Sequence, residues 1–396
     1  MSKQNSLLTR AVSEVLPSAD SLNELMSKKK IRVYFGIDPS GAFLTLGHSI
    51  ALRKLQAFAD AGHEAILLIG NGTVRIGDPT GKDASRPVLS NEEIEKNFKD
   101  WQKQASKILN FNKIKVLRNG DWLDKLNYAD IIKLLAKTTV QQLLERDMFR
   151  ERLKAGKPIH GHEIIYPLIQ GYDSTVMDVD LEIGGTDQTF NMMMGRTLQK
   201  AYNNKEKWVL TTPIINGTDG RKMSKSFNNY VALTDDPNDM YGKLMSISDD
   251  QIISYFELLT DIDLSKIAEM KKAMSNGENP MDFKKQLAFE ITKMYHDKQH
   301  ATEAQIHFEV TTQKKKTPKD ISTFLLEPAI NKILGILSVC MPWESKSNLR
   351  RLVEQGAVQL MPQEIRIMDQ NQIIKIDKEQ IFKVGKRNFF RVKYKK

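Results

Sequence analysis

The sequence predicts an α/β fold with a parallel β-sheet, followed by a helical region and a small α+β unit. Two observations predict the sheet. Residues 31–38 are a short run of β-branched and aromatic residues that ends at Pro39-Ser40-Gly41, and a helical pattern follows at about 48–61. Residues 64–69 repeat this arrangement before Gly70-Asn71-Gly72. Strand, glycine-containing turn and helix in succession are typical of parallel strands joined by helical crossovers.

The central part of the chain continues this pattern. Residues 91–153 are mostly helical, with a strand predicted at 116–123. Residues 178–184 predict a further strand that leads through glycines into a helix. In parallel sheets the ligand crevice lies outside the carboxyl ends of the strands, where residues 38–48 and 73–86 fall.

The pattern changes after Lys225 and sets the predicted domain boundaries. Helical periodicity prevails over 236–310, with a break at 277–280, and a lysine-rich stretch at 314–318 resembles a linker. Two helical segments and short strands complete the chain. We therefore expect three domains, at 1–232, 233–320 and 321–396.

Size and composition favour an ordinary globular protein in a reducing compartment. The chain has 396 residues, 40% of them hydrophobic and 27% charged. It has no run of about 18 apolar residues, so we expect no membrane-spanning helix and no membrane partner. The N-terminus has no apolar signal core, and the single Cys340 cannot form an internal disulfide. We expect a cytoplasmic protein in which Cys340 is a small core residue.

The charge distribution is compatible with a polyanionic partner. The formal net charge is +10, and the stretch from Lys375 to the C-terminus is strongly basic, with Phe382, Phe389, Phe390 and Tyr394 interleaved. Basic side chains contact phosphates and aromatic rings stack on bases, as in RNA-binding surfaces. A basic terminal strand with buried aromatic residues would have the same pattern, so both interpretations stand.

Two distant segments indicate chemistry on a polyphosphate. Residues 220–226, Gly-Arg-Lys-Met-Ser-Lys-Ser, carry Lys222 and Lys225 three positions apart after a turn. Lysine is a compact charge on a flexible stem, so a loop can place two ammonium groups on a pyrophosphate. A solvated turn is the alternative. Gly47 and His48 favour phosphate chemistry, because a glycine at a helix N-terminus admits a phosphate group to which His48 can donate.

Two further glycine-containing segments are candidates for contacts with a phosphate or a ribose. Residues 76–86 suggest a phosphate loop but lack the glycine spacing of a Walker motif, and an exposed turn is the alternative. In Gly184-Gly185-Thr186-Asp187-Gln188 the glycines allow close approach of a ribose, and Asp187 can accept from its hydroxyl groups.

A further segment combines three polar side chains on one helix face. Tyr166, Gln170 and Asp173 are spaced four and three apart, so a helix presents them together. Such a face suits a pocket that binds an amino group at one end and a hydroxyl at the other. A surface helix is the alternative.

Together these segments resemble the class I aminoacyl-tRNA synthetases, and in particular the bacterial tyrosyl-tRNA synthetases. Leu46-Gly47-His48 and Lys222-Met223-Ser224-Lys225-Ser226 match the two signatures of that class, and Gly77-Asp78-Pro79-Thr80-Gly81-Lys82 matches a segment of the tyrosyl family. The similarity runs from Val33 to Arg387, and residues 345–358 resemble an S4 domain. The resemblance implies a Rossmann-like catalytic core, an α-helical anticodon-binding domain, an α+β S4 RNA-binding domain, and a homodimer that uses L-tyrosine, ATP and tRNA(Tyr).

The resemblance also implies the roles of site residues. The catalytic residues would be Thr45, His48, Lys82, Lys222 and Lys225. Tyrosine would be bound by Tyr34, Asp78, Tyr166, Gln170 and Asp173. ATP would be bound by Asp38, Ser40, Gly47, His48, Gly185, Asp187, Gln188, Met223 and Lys225, with Arg86 near the phosphates. No stretch has convincing zinc-ligand spacing, and His160 and His162 are taken as structural or surface residues, so Mg²⁺ would enter with ATP.

Within this family the phenolic hydroxyl would lie between Asp173 and Tyr34, and Asp78 would hold the ammonium group. Buried partners of a hydroxyl reject phenylalanine because they would be left unpaired, and tyrosyl-tRNA synthetases are the standard example of this behaviour. The implied mechanism has two steps, adenylate formation and transfer to tRNA, with no covalent nucleophile on the protein.

Two departures from the family pattern affect these expectations. Thr45 stands where the first signature begins with histidine. Threonine can donate a hydrogen bond to phosphate but carries no positive charge, so we expect slower adenylate formation rather than inactivity. Residues 359–362 replace the small polar turn that S4 domains often have.

Three alternatives stay open on the sequence. A tryptophan-specific enzyme would share the core, although Tyr34, Asp173 and the S4-like tail favour tyrosine. A synthetase-derived RNA-binding protein without activation is suggested by Thr45. The complete lysine loop at residues 220–226 and the full set of polar pocket residues argue against it. A nucleotidyltransferase on the same core would have no need of the RNA-binding tail.

Overall fold

The computed structural model describes residues 7–80, 90–313, 321–327, 331–361, 365–376, 379–385 and 388–394. The chain divides into two compact units, Met1–Asp297 and Lys298–Lys396. The division into three domains stays a prediction.

A six-stranded sheet forms the centre of the first unit and has the order β1-β6-β5-β2-β3-β4. Strands β2 to β6 pair in parallel, and β1 pairs antiparallel with β6. The predicted parallel sheet is confirmed. The strands are Glu14–Leu16 (β1), Arg32–Ile37 (β2), Glu64–Ile69 (β3), Ile114–Arg118 (β4), Leu181–Gly185 (β5) and Trp208–Thr212 (β6).

The strand order reverses between β2 and β5, which creates a crevice at their carboxyl ends. From β2 the chain adds β3 and β4 on one side, and β5 and β6 extend the sheet on the other. Open α/β sheets bind ligands at such a switch point. Both β2 and β5 end in segments for which the sequence predicts ligand contacts.

One strand prediction needed correction, and two strands were missed. The strand predicted at 116–123 is wrong in its bounds, because β4 ends at Arg118 and residues 120–123 are helical. The backbone nitrogen of Asn119 donates to the Ile69 carbonyl at 3.1 Å, and its side chain accepts from the backbone nitrogen of Gly72 at 2.8 Å, so Asn119 joins the end of β4 to the turn after β3. The strands β1 and β6 were not predicted. β1 has three residues at an edge, and β6 is a short apolar run that periodicity alone does not distinguish from a buried helix.

Helices connect and cover the sheet of the first unit. The helix Leu46–Asp60 packs on β2, β3 and β5. Two others, Gly161–Met177 and Thr189–Asn203, make the most extensive helix pair of the unit, and we call them the pocket helix and the second helix. The remaining helices of this part are Ala19–Lys28, Asn91–Ala105, Gly120–Leu123, Tyr128–Leu135, Val140–Leu144 and Asp147–Lys154.

The pocket helix and the second helix approach closely through two glycines. A Cβ atom on Gly171 would lie 2.9 Å from the backbone nitrogen of Gly195, which is closer than a real Cβ contact. This approach brings the polar face of the pocket helix to the end of β5.

The region after residue 236 is helical, as predicted. Its helices are Pro237–Leu244, Ile252–Leu259, Leu264–Ser275 and Pro280–Tyr295. The predicted break at 277–280 is confirmed: Gly277 has a φ of +94°, and Pro280 begins the next helix with Asn279 as its N-cap. Met240, Tyr241, Tyr255 and Phe256 are fully buried here.

The second unit has a five-stranded sheet of order β7-β11-β10-β8-β9, in which only β7 and β11 pair in parallel among the described strands. The strands are Ser322–Leu326 (β7), Val358–Met361 (β8), Ile365–Ile367 (β9), Gln380–Val384 (β10) and Asn388–Tyr394 (β11). Its α-helices are Lys298–Phe308, Ile333–Cys340 and Lys346–Glu354.

The core of the second unit distinguishes between the two interpretations of its basic tail, base stacking by the aromatic rings or burial of these rings. Phe382 and Phe390 lie in the hydrophobic core, and Phe389 is buried with Lys383 Nζ 5.5 Å from its ring centroid, so these three rings do not offer open faces for base stacking. Cys340 is buried in the same core, as predicted, and burial raises its pKa to about 12. Across the ranges that the structure describes, no helix is long and apolar enough to cross a membrane.

Candidate active site

A cavity of about 270 Å³ opens at the carboxyl ends of β2 and β5. It contains most of the side chains that the sequence selected, drawn from four separate segments of the chain. The predicted site residues that line it are Tyr34, Asp38, Ser40, His48, Asp78, Tyr166, Gln170, Asp173, Gly185, Asp187 and Gln188. The structure therefore brings the pocket helix, the loop after β2 and the turn after β5 to one site.

The inner end of the cavity has a phenol and a carboxyl group. Tyr34 projects from the middle of β2 and Asp173 from the pocket helix, and both are buried, with 1% and 2% of their surface exposed. Asp173 accepts from Trp122 Nε1 at 2.9 Å and from Asn119 Nδ2 at 3.1 Å. Burial raises the pKa of Asp173 to about 8 although these two hydrogen bonds oppose the shift. Burial therefore favours the protonated form of Asp173.

A buried ion pair is connected to Tyr34 through a serine hydroxyl group. Lys207 immediately precedes β6 and pairs with Glu182 of the neighbouring β5. Lys207 Nζ also donates to Ser174 Oγ at 2.7 Å, and Ser174 Oγ lies 2.9 Å from the hydroxyl of Tyr34. Burial lowers the pKa of Lys207, and the carboxylate of Glu182 opposes this. The sequence analysis did not single out any of these three supporting residues.

A further part of the cavity wall presents two carboxylates. Asp38 accepts from the hydroxyl of Tyr166 at 3.0 Å and from Thr73 Oγ1 at 2.7 Å. Asp78 accepts from Gln188 Nε2 at 2.7 Å and from Thr80 Oγ1 at 2.6 Å. This wall suits a cationic group.

One asparagine connects the side-chain amides of this wall. Asn191 Nδ2 donates to Gln170 Oε1 at 3.1 Å and to Gln188 Oε1 at 3.0 Å. Its donation orients both glutamines, so that their NH₂ groups point away from it. The sequence analysis missed Asn191, Asn119 and Trp122. A correct end for β4 would have indicated Asn119 and Trp122, because they follow that strand at the same edge of the sheet.

At the entrance of the cavity, Thr45 and His48 form a pair at the start of the helix Leu46–Asp60. The backbone nitrogen of Thr45 donates to His48 Nδ1 at 3.0 Å, and Thr45 Oγ1 lies 2.8 Å from the same atom. Burial lowers the pKa of His48 to about 4, with a smaller contribution from Lys225. His48 is therefore neutral at physiological pH.

The lysine loop (residues 220–226) forms a turn beside the cavity. The Asn229 side chain holds it by accepting from the backbone nitrogen of Ser224 at 2.8 Å and donating to the Lys222 carbonyl at 3.1 Å. Lys222 Nζ lies 2.8 Å from Asp187 Oδ2. Lys225 Nζ lies 4.6 Å from the ring centroid of Phe43.

Some predicted site residues lie outside the lining. In the part of the chain that the structure describes, the predicted site residues that do not line the cavity are Thr45, Gly47, Lys222, Met223 and Lys225. Gly47 brings the first signature close to the second, since a Cβ atom at Gly47 would be 3.7 Å from Met223 Sδ. Lys82 and Arg86 fall outside the described residues.

The structure offers no protein-built metal centre in the ranges it describes, where no group of three His, Cys, Asp or Glu side chains is arranged to hold a metal ion. The rings of His160 and His162 stack with centroids 5.7 Å apart, and His160 precedes the pocket helix as its N-cap.

Comparison with known proteins places this geometry in a family. The family model described as tRNA synthetases class I (W and Y) matches residues 26–312. A tyrosine–tRNA ligase of Thermotoga maritima is 45% identical over 358 residues, which cover 90% of this chain and 89% of the relative. One of Carboxydothermus hydrogenoformans is 42% identical over 386 residues, covering 95% of this chain and 93% of the relative.

Solved structures have the same fold. A C-terminally truncated mitochondrial tyrosyl-tRNA synthetase of Aspergillus nidulans has a TM-score of 0.65 at 20% identity and covers 78% of this chain and 93% of its own. A tyrosyl-tRNA synthetase of Archaeoglobus fulgidus complexed with L-tyrosine has a TM-score of 0.61 at 22% identity, covering 76% of this chain and 99% of its own. The family resemblance found in the sequence is thereby confirmed: the chain belongs to the class I tRNA synthetases of the tryptophan and tyrosine type.

Proposed function

We propose that this chain is a tyrosine–tRNA ligase that activates L-tyrosine with ATP and transfers it to the 3′ end of tRNA(Tyr). The observation that carries this is the buried pair of Tyr34 and Asp173, which line one cavity together with the carboxylates of Asp38 and Asp78. A phenol fits such an end because its hydroxyl can both donate and accept. The curated relatives at 45% and 42% identity are tyrosine–tRNA ligases.

Tyrosine would span the cavity. Its ring lies along β2 with the hydroxyl between Tyr34 and Asp173, and its ammonium group meets Asp78, Tyr166 and Gln170. Support comes from charge, since Asp78 carries the carboxylate that a cation requires, and from size, since a cavity of about 270 Å³ admits one amino acid beside part of a nucleotide. The carboxylate of tyrosine is then left facing the entrance, where His48 lies.

ATP would occupy the entrance. The proposed contacts are Asp38, Ser40, Gly47, His48, Gly185, Asp187, Gln188, Met223 and Lys225. In this arrangement the ribose lies against the turn after β5, and the phosphates lie near the N-terminus of the helix Leu46–Asp60, whose dipole favours anions. Mg²⁺ enters as part of the MgATP substrate. Lys82 is proposed as a further phosphate contact from the family resemblance alone.

The chemistry then follows from positioning and charge stabilisation. A carboxylate oxygen of tyrosine attacks the α-phosphorus, the bond to the bridging oxygen breaks, and pyrophosphate leaves with that electron pair. The terminal ribose hydroxyl of tRNA next attacks the activated carbonyl, and AMP leaves. His48, Lys222 and Lys225 stabilise the charge that develops on phosphate oxygens. Lys222 must leave Asp187 to do so, because the two are paired in this structure.

For the tRNA we propose that residues 233–320 contact the anticodon region and that residues 321–396 bind RNA as an S4-like domain. The helix Lys346–Glu354 supports this, since Lys346, Arg350 and Arg351 are exposed while Leu349 and Val353 face the core. Exposed cations on one helix are suited to phosphate contacts.

A homodimer is also proposed. Tyr128 and Ile132 lie one helical turn apart and are 81% and 46% exposed, and Val140 in the next helix is 60% exposed. Large apolar side chains on neighbouring exposed positions are typical of protein interfaces. Light scattering after size exclusion should give twice the mass of the chain, and Tyr128→Asp with Ile132→Asp should give the single mass. We further propose a cytoplasmic enzyme, consistent with its buried thiol at Cys340.

Charging of tRNA tests the proposed function. We expect incorporation of labelled tyrosine into tRNA(Tyr) with consumption of ATP, and no incorporation of the other nineteen amino acids. Charging with tryptophan would keep the family and refute the tyrosine assignment. Binding of tRNA without charging would support an RNA-binding protein that has lost activation.

A further inference from the structure

The hydrogen bonds behind Tyr34 have a fixed direction. The Lys207 ammonium group is fully buried and has three acceptors: Ser174 Oγ at 2.7 Å, the Met192 carbonyl at 3.1 Å, and a carboxylate oxygen of Glu182. Three acceptors match the three N–H groups of an ammonium, which can only donate. Ser174 Oγ therefore accepts from Lys207.

Ser174 transmits this direction to Tyr34. In the described part of the chain Ser174 Oγ has two hydrogen-bond partners, Lys207 Nζ and Tyr34 Oη, the latter at 2.9 Å. Because the bond from Lys207 uses a lone pair of Ser174, the serine proton finds an acceptor here only in Tyr34 Oη. The phenol oxygen of Tyr34 then accepts, and its own proton is left for an atom in the cavity.

Glu182 is the competing acceptor for that proton, and its oxygens are already engaged. One carboxylate oxygen pairs with Lys207, and the other accepts from Gln170 Nε2 at 3.3 Å. Tyr34 also lines the cavity, so a ligand oxygen there competes with Glu182 for the phenolic proton.

The second helix packs tightly against Lys207 and Ser174. Gly195 of the second helix faces it, and a Cβ atom there would lie 2.4 Å from Lys207 Nζ and 2.8 Å from Ser174 Oγ. Lys207 Nζ also lies 5.7 Å from the ring centroid of Tyr34. The ammonium group thus fits between the two helices directly behind the phenol.

We propose that Lys207 and Ser174 are positioning residues that set amino-acid specificity by making Tyr34 a hydrogen-bond donor to the phenolic oxygen of the substrate. This deepens the proposed function and rests on it. A substrate without that oxygen leaves a buried donor unpaired, and an unpaired buried donor is costly. The chain from Lys207 therefore favours tyrosine over phenylalanine without touching either.

The test compares two single substitutions at adjacent buried positions of the pocket helix. Ser174→Ala removes the hydroxyl that links Lys207 to Tyr34. Thr175→Val removes a hydroxyl whose oxygen is buried and has no hydrogen-bond partner in the described structure. For each variant, kcat/KM for ATP–pyrophosphate exchange is measured with tyrosine and with phenylalanine at high concentration.

We expect Ser174→Ala to lower kcat/KM for tyrosine about three- to tenfold, the effect of one hydrogen bond, and to leave that for phenylalanine unchanged. The tyrosine-to-phenylalanine ratio should fall by the same factor, and Thr175→Val should leave the ratio unchanged. An equal loss with both substrates would show a merely structural role, and an unchanged ratio would show that Ser174 does not orient Tyr34. Either result overturns the proposal.

A second variant keeps the test decisive if Ser174→Ala perturbs folding. Lys207→Met with Glu182→Gln removes the ammonium group together with its counter-ion, so no buried charge is left alone. Ser174 can then accept from Tyr34, which turns the phenolic proton away from the cavity. We expect the ratio to fall, and retention of the wild-type ratio would refute the role of Lys207. Failure of the wild-type protein to activate tyrosine would instead refute the proposed function itself.

Discussion

His48 Nδ1 lies 3.0 Å from the backbone nitrogen of Thr45 and 2.8 Å from its Oγ1. A backbone N–H can only donate, so Nδ1 accepts and carries no proton. The neutral ring therefore carries its proton on Nε2, which is left to donate to a ligand of the cavity. Thr45, expected from the sequence to donate to phosphate itself, acts in this structure on His48.

This pairing predicts how substitutions at the two positions combine. Thr45→Val should slow tyrosyl-adenylate formation about three- to tenfold, because the backbone N–H still holds Nδ1 after the hydroxyl is lost. His48→Ala should slow it about 100- to 1000-fold, as expected for loss of one donor to the transition state. Rapid-quench measurement of adenylate formation gives both rates.

The double variant separates the two roles of Thr45. If Thr45 acts through His48, adding Thr45→Val to His48→Ala should cause no further loss. Losses that multiply in the double variant would mean that Thr45 contacts the phosphate directly.

Asp173 should make the stability of the protein depend on pH. Burial raises its pKa from 3.8 to about 8 in the folded protein. Between these values the folded state holds a proton that the unfolded state has released, so the free energy of unfolding falls as pH rises. Asp173→Asn cannot titrate, and its melting temperature relative to wild type should be higher at about pH 8 than at about pH 5.

The amide of Asp173→Asn also meets Asn119, which adds an offset that does not depend on pH, so the difference between the two pH values is the informative quantity. Asp100→Asn, at an exposed position of the helix Asn91–Ala105, is the matched control and should show no such difference. A melting-temperature offset for Asp173→Asn that is equal at both pH values would contradict the raised pKa.

The lysine loop should affect chemistry more than amino-acid binding. Lys225→Ala should slow adenylate formation strongly, about 100-fold or more, and leave the dissociation constant of tyrosine nearly unchanged. The reason is that Lys225 lies beside Phe43 and outside the lining of the cavity in this structure. Calorimetry gives tyrosine binding, and Lys200→Ala, at an exposed position of the second helix, is the control. An unchanged activation rate would refute the assignment of Lys225.

Gly195 should tolerate no side chain. Gly195→Ala places a methyl group against Lys207 and Ser174, and overpacking of this kind costs about 1–3 kcal/mol. We expect a lower free energy of unfolding for the first unit in urea. Gly161→Ala, at the start of the pocket helix, has open space around its Cβ and should be neutral or slightly stabilising. Equal stability of the two variants would contradict the packing around Lys207.

The sequence predicted those parts of the site whose residue types repeat a local pattern. Tyr166, Gln170 and Asp173 followed from helical spacing, and the strands at β2 and β3 followed from short apolar runs that end in glycine or proline turns. Prediction failed where a role depends on partners far apart in the chain. In the sequence, Lys207 is a charged residue before a short apolar run, which does not indicate a buried role. The pairing of β5 with β6 places it beside Glu182.

In the basic tail, too, the sequence alone did not show which residues pair across strands. Phe382 and Phe390 could be stacking platforms or core residues on sequence alone, because both alternate with cations along a strand. Pairing of β10 with β11 puts them directly opposite each other in the core. The end of β4 was misplaced for a comparable reason, since the side chain of Asn119, which follows the strand, bonds to Gly72, which lies far away in the sequence.

ATP–pyrophosphate exchange by the wild-type protein tests the central claim most directly, with tyrosine, phenylalanine and tryptophan compared as substrates. The buried pair of Tyr34 and Asp173 predicts rapid exchange with tyrosine and exchange slower by orders of magnitude with the other two. Phenylalanine leaves both partners unpaired, and the indole N–H of tryptophan can only donate, so it offers Tyr34 no acceptor. Comparable exchange with phenylalanine or tryptophan, or none with tyrosine, would contradict the account.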